Sequence, residues 1–284
     1  MIQADKILQF NPGDIAVNYK YNDCIFYALS VGVGMDVTDT LQLPFVYEKN
    51  LSVMPMMASI LGWGGRLTDP TYGIDNRMVV ASDLDVELHR PLRTEDQLIS
   101  QPRVSHVIDK GEGQAAIIQF QRILYQQDMT PVATIRNSIM ARNQGGFGGS
   151  DGGLEAPHVM PTRAPDLTCD LPTSNNLALL FRLHGDSNPI HVDPQLAGKA
   201  GFNKPLLHGA ATFGVAGHAL IRSVLKTQLH HFSRMRARFA KPFFPGDTLR
   251  TEIWIDGLTV SFRCLALERN EVTLSNGCLL LHPE

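Results

Sequence analysis

Residues 181–209 read FRLHGDSNPIHVDPQLAGKAGFNKPLLHG, and four of their side chains suit proton transfer or its orientation: Asp186, Asn188, His191 and His208. A carboxylate and an imidazole so close in sequence can hold one water between them. Each can give or take its proton, since imidazole titrates near pH ~6.5. Asn188–Pro189 disfavours a regular helix and favours a turn, which lets Asp186 and His191 converge, and the Asn188 amide can fix its neighbour. Next comes LLHGAATFG. A helix starting at His208–Gly209 presents free N–H groups and a positive dipole end. Glycine lets a ligand come close, so the Gly209 N–H can stabilise the oxyanion that develops when a conjugated carbonyl is attacked.

The same residues admit other uses. Asp–x–Asn–Pro is also an ordinary turn sequence, and His191 can be a half-buried, hydrogen-bonded histidine. His184, His191, His208 and Asp186 are metal-ligand types, but no HxxxH or HExxH spacing joins them, and no metal is expected. Neither a GxSxG nor a nearby cysteine offers a nucleophile. On chemistry alone this is an acid/base site whose reaction stays open.

The elements that position these groups follow from 284 residues, 44% apolar and 19% charged, enough to bury a sizeable core. A formal net charge of -3 argues against a general nucleic-acid binder. No apolar run reaches the ~18 residues that span a bilayer, and the N-terminus lacks the basic start and long apolar core of a secretory signal. Cys24, Cys169, Cys264 and Cys278 lie far apart and look like buried thiols of a reducing compartment. A soluble intracellular protein is expected.

NQGGFGGSDGGLEAP, residues 143–157, breaks every periodic signal and reads as a linker or long loop between halves 1–142 and 158–284. Each half starts with an irregular stretch holding a short amphipathic helix, at 23–32 and 175–183. Each continues with a more apolar helix candidate, at 53–63 and 208–225, and ends in four β-rich segments. RPLRTEDQL (90–98) and KPFFPGDTL (241–249) share basic–Pro–x4–Asp–x–Leu at an offset of 151, and Tyr27–Ala–Leu29 matches Phe181–Arg–Leu183 at 154. The order predicts one α+β unit, helix on antiparallel sheet, written twice. At offset 154, Asp186 maps to Gly32, His191 to Val37 and Gly209 to Pro55. The first half therefore lacks the acid, the imidazole and the N–H donor, and one site per chain is expected. Pro55, Ala58, Ser59 and Gly62 also lower packing bulk and helix propensity, so the 53–63 helix should be displaced or loosened.

The 181–209 segment resembles the hydratase 2 motif of the (R)-specific 2-enoyl-CoA hydratases, the MaoC-like group. The likeness extends through ARFAKPFFPGDTL and back through GGFGG into the first half. It implies a double hot-dog fold, two repeats side by side, with only the second catalytic. It implies that Asp186 and His191 activate water, Asn188 supports them and the Gly209 N–H contacts the thioester oxygen. Water would then add across C2=C3 of a trans-2-enoyl-CoA to give the (3R)-3-hydroxyacyl-CoA, as in fatty-acid β-oxidation, with no cofactor. Lys110 and Phe239 match substrate-contact positions, while Ala81–Ser82 stands where the family often has His–Gly. Met54, Met56 and Met57 are core, or line an acyl-chain pocket. The rivals are dehydration of hydroxyacyl groups on CoA or acyl-carrier protein, and a silent acyl-CoA binding module. The expected partner is acyl-CoA, with neither nucleic acid nor membrane, and the expected state is a homodimer. The expected compartment is the cytoplasm, or the peroxisome for a eukaryotic relative, although LLLHPE lacks a Ser-Lys-Leu-type signal.

Two groups acting on one water fail together. Asp186→Asn and His191→Ala should each remove at least ~10²-fold of kcat, and the double variant should be little worse than either. Steady-state kinetics on the folded variants checks this, and near-wild-type turnover in either single variant rejects the assignment.

Overall fold

Alternation is cleanest in Ala116–Tyr125, where every second residue from Ala116 to Leu124 is buried. In the computed structural model, which describes residues 1–150, 152–226 and 228–283, this segment is one strand of a ten-stranded sheet. The strands are β1 (Ile15–Tyr19), β2 (Val79–Leu88), β3 (Asp96–Asp109), β4 (Ala116–Tyr125), β5 (Pro131–Ala141), β6 (Leu167–Pro172), β7 (Phe232–Phe239), β8 (Thr248–Asp256), β9 (Thr259–Ala266) and β10 (Glu271–Leu281). Every neighbouring pair is antiparallel, in the order β1-β3-β4-β5-β2-β7-β10-β9-β8-β6. Outward from the β2–β7 seam the two sides match strand for strand, so the molecule is two repeats sharing one sheet, a double hot dog. All eight β-rich segments are strands. β1 and β6 form where only irregular chain was expected, at the two sheet edges.

The helices are α1 (Ala4–Leu8), α2 (Tyr21–Ser30), α3 (Leu43–Val46), α4 (Leu177–Phe181), α5 (Pro194–Lys199) and α6 (Gly209–Leu220), the last continuing as a π turn over Ile221–Leu225. No helix of the described residues is long and apolar enough to cross a membrane. The repeats meet residue against residue at offset 154. The Tyr27 and Phe181 ring centroids lie 6.4 Å apart, and Ser30 Oγ lies 2.8 Å from His184 Nε2. The expected helix over 53–63 is instead a 3-10 helix, Pro55–Ile60, so its loosening goes as far as a change of helix type. Pro55 sets its start, as Gly209 starts α6. Leu61 leaves in extended conformation, and the buried Arg122 guanidinium donates to the Ser59 and Leu61 carbonyls, satisfying the helix end.

α6 is buried from Ala211 to Leu220, so it must be covered on all sides. Two glycines let the first repeat come close. A Cβ on Gly214 would sit 2.5 Å from Val31 Cγ1, and one on Gly217 would collide with the Met56 side chain. A second apolar cluster, in which Ile2, Ile7 and Leu67 pack on β3 and β4, covers sheet that the shorter 3-10 helix leaves bare. Gly146, Gly148, Gly149 and Glu155 anchor the 143–157 segment. Asp109 accepts N–H bonds from Gly111, Gly146, Gly148 and Gly149, which, led by Gly146, hold its carboxyl down to about 2. Further on, Glu155 pairs with Arg234 and Arg236 of β7.

Gly214→Val puts volume where Val31 and Tyr27 already pack, so it should destabilise by about 1–3 kcal/mol. Gly198→Ala in α5 meets nothing within 4 Å and should be neutral or stabilising by at most about 1 kcal/mol. Urea unfolding distinguishes them, and equal midpoints would refute the close-packing account.

Candidate active site

The segment after α4 turns sharply. A 3-10 turn, Arg182–His184, ends at Gly185, whose φ of 109° is a left-handed value, and the chain then enters Asp186–Ser187–Asn188. Asn188 caps the next 3-10 turn, Pro189–His191: its side-chain oxygen accepts the Ile190 N–H at 3.4 Å. Its own N–H donates to Asp186 Oδ1 at 3.1 Å. Asn188 thus couples the acid to the turn that carries the imidazole. The turn brings His191 Nε2 to 4.0 Å from Asp186 Oδ2. His191 Nδ1–H donates to the Leu206 carbonyl at 3.0 Å, which leaves the Nε2 lone pair facing the carboxylate.

His208, the cap residue of α6, lies flat on His191, with centroids 3.7 Å apart and planes 27° apart. Its Nε2–H donates to the Asp186 carbonyl at 3.3 Å, and its buried Nδ1 has no partner among the described residues. Gly209 follows directly, so the α6 N-terminus opens beside the Asp186–His191 pair. Phe239, at the end of β7, packs over Gly209, where an added Cβ would be 3.0 Å from its ring. Ser82 precedes the Asp83–Arg238 pair as Phe239 follows it, placing exposed Ala81 and buried Ser82 at this end of the sheet. Exposed Lys110 is at the same end, just past β3, three strands from β2.

Local spacing could not find Arg66. It comes from the other repeat, and its Nη2 pairs with Asp186 Oδ1 at 2.8 Å. Nor could spacing find the His191–His208 stack, made between two elements. One oxygen of Asp186 and a ring nitrogen from each of His191 and His208 lie within 4.8 Å of one another, so the three groups converge on one point.

Desolvation dominates the titration here. Burial lowers the His191 imidazole below its usual range, and burial plus the adjoining His191 brings His208 down to about 4. Burial alone takes His184, packed between Phe26 and Phe181, to about 4, and burial with Arg222 does the same to His218. Neutral imidazole is therefore the form these sites favour, as a proton acceptor requires. Folded pKa values below the unfolded ~6.5 mean that the folded chain binds fewer protons in acid. The stability they confer is full above about pH 6.5 and is lost as pH falls towards about 4. The urea midpoint should drop between pH 7 and 5, and His184→Gln should flatten that drop. A variant with the wild-type slope would exclude His184 as a contributor.

The chain matches known proteins over both repeats. Residues 17–143 match the model of the MFE-2 hydratase 2 N-terminal domain, and residues 158–276 that of the MaoC like domain. The chain is 32% identical to Arabidopsis thaliana peroxisomal enoyl-CoA hydratase 2, over 96% of this chain and 93% of that one. It is 37% identical to the Mycobacterium tuberculosis 3-hydroxyacyl-thioester dehydratase Y, over 82% of this chain and 80% of that one. The solved MaoC-like dehydratase of Phytophthora capsici superposes with a TM-score of 0.87 at 29% identity, covering 99% of both chains. With both repeats matched in order and relatives aligned along nearly their whole length, the chain belongs to the MaoC-like hydratase 2 family.

Proposed function

We propose that this protein is a hydro-lyase that reversibly adds water to trans-2-enoyl-CoA to form (3R)-3-hydroxyacyl-CoA. The observation that carries this reading is the Asp186–His191 pair, 4.0 Å apart, beside the N-terminus of α6. A water hydrogen-bonded at ~2.8 Å to both atoms sits at the apex of a triangle over that gap. Both partners accept, so the water donates both its hydrogens and turns its oxygen outward to C3. Either partner takes the proton as the C3–O bond forms. Electrons move through the conjugated system onto the thioester oxygen, where the Gly209 N–H stabilises the charge; the pair then returns the proton taken from the water to C2, which completes the addition and leaves acid and imidazole as they began. The thioester is its own electron sink, so the scheme needs neither metal nor cofactor.

Phe239, Ala81–Ser82 and Lys110 share the sheet end at which α6 begins, a placement that suits contacts along the CoA part of the substrate. Met54, Met56 and Met57 are buried beside α6. They would have to rearrange to admit an acyl chain, as flexible methionines can. The degenerate repeat would then accommodate the chain, adding at most roughly 0.8 kcal/mol per buried CH₂. We place the protein in the cytoplasm, or in the peroxisome as the Arabidopsis relative's name has it for that protein, and as a homodimer. The same machinery run backwards is a dehydratase, the activity that the Mycobacterium relative's name carries.

Incubation with crotonyl-CoA should remove the enoyl-thioester absorbance and yield the (3R) alcohol; an unchanged spectrum would reject the reaction. Across enoyl-CoAs of about four to sixteen carbons, Met57→Trp should depress kcat/KM for long chains selectively. An equal loss at every length would end the acyl-chain assignment.

A further inference from the structure

The Asp186 carboxylate is held by one oxygen. Arg66 Nη2 lies 2.8 Å from Oδ1, and the Asn188 N–H donates to that same atom at 3.1 Å. Neither bond involves Oδ2, the oxygen that faces His191 Nε2. We infer that Arg66 is a positioning residue for the hydration: it pins Oδ1 from the opposite repeat, so that Oδ2 is the oxygen presented to the attacking water. The assignment rests on the proposed reaction and adds to it a group from the half that lost its own acid and imidazole.

Why a second donor is needed follows from the torsion. Rotation of a carboxylate about Cβ–Cγ is broad and poorly defined by local sterics, so the Asn188 N–H alone leaves the plane of the group loose. A guanidinium converging on the same oxygen from another element restricts it, and a pair held this way keeps the geometry on which positioned proton transfer depends. Arg66 can do this because its own segment is fixed at both ends. Upstream, Arg122 Nε donates to the Leu61 carbonyl at 2.9 Å, and Ser100 Oγ donates to the Gly62 carbonyl at 2.7 Å. Gly62 has a φ of +62° and lies so close to Ser100 that no side chain fits. Downstream, Leu67 is buried in the cluster on β3 and β4. Between these anchors the Arg66 guanidinium lies over the Trp63 ring, 5.8 Å from its centroid, with its charge turned to Asp186.

The Arg66 and Asp186 side chains are 44% and 36% exposed, so the ion pair adds little to folding, and loss of activity without loss of stability reports on position. The contact is a single N–O approach, which a lysine amine can reproduce. The test is steady-state hydration of crotonyl-CoA by the full chain carrying Arg66→Ala or Arg66→Lys, alongside thermal melts. Arg66→Ala should lose about 10–100-fold in kcat, with KM within about threefold and an unchanged melt. Arg66→Lys should keep kcat within about fivefold, and added methylguanidine should restore part of the Arg66→Ala rate but none of the Asp186→Asn rate. Wild-type kcat in Arg66→Ala overturns the assignment. So does a defect confined to KM, which would make Arg66 a ligand for the substrate's phosphates, and so does a loss that neither lysine nor methylguanidine relieves. If the wild-type chain hydrates no enoyl-CoA, the reaction falls and the assignment with it. An active wild type with an equally active Arg66→Ala removes the assignment alone.

Discussion

A helix that is buried on every side must be surrounded, and the rest of this structure is arranged around α6. From Ala211 to Leu220 none of its residues reaches solvent, a length of buried helix that a single curved sheet cannot enclose. The second repeat supplies strands on one side. The first supplies side chains on the other: Tyr27 and Val31 fit over Gly214, and Met56 over Gly217. The glycines sacrifice some helix propensity, of order 1 kcal/mol each, for a backbone approach that no other residue permits. Because the body of α6 is locked in this way, its N-terminus has one place to be. His208, Gly209 and the Phe239 ring meet there, beside the turn that carries Asp186 and His191.

The same burial sets the protonation of the site. Two imidazoles stacked 3.7 Å apart and largely shielded from water cannot both be charged, and desolvation drives both towards the neutral form. Each uses one ring nitrogen on a backbone carbonyl, Leu206 for His191 and Asp186 for His208, which fixes their tautomers. The His191 nitrogen left over faces the carboxylate. The one left over on His208 is buried without a partner among the described residues, a cost to stability.

How much of this was legible in the sequence depended on how local its cause was. β4 could be read because its alternation follows from one strand lying on one core, and Asp186 and His191 because a single Asn–Pro turn brings them together. β1 could not. Its five residues pair on one side only, at the sheet edge, and little in Ile15–Tyr19 beyond Val17 and Tyr19 is buried. β6, at the other edge, has only Leu171 buried. The offset of 154 correctly set Pro55 against Gly209, since both begin helices. It could not say that the first would wind as a 3-10 helix, because that depends on Arg122, far along the chain, collecting its last carbonyls. Arg66 lies beyond any local pattern for the same reason. Its meaning is a contact with Asp186 across the two repeats.

The asymmetry between the repeats is one of backbone as well as side chains. At the positions that match Asp186 and His191, Gly32 has a φ of +83°, which strains an aspartate, and Val37 is 89% exposed, out on the surface. The helix that should follow starts at a residue with no N–H and is buried among methionines. Placing an aspartate and a histidine back at those positions would therefore restore the two side chains but not their convergence, and no helix-starting N–H would face them. What the first repeat keeps is the part of a site that does not depend on the lost turn: cover for α6, and one guanidinium delivered across the interface to the acid of its neighbour.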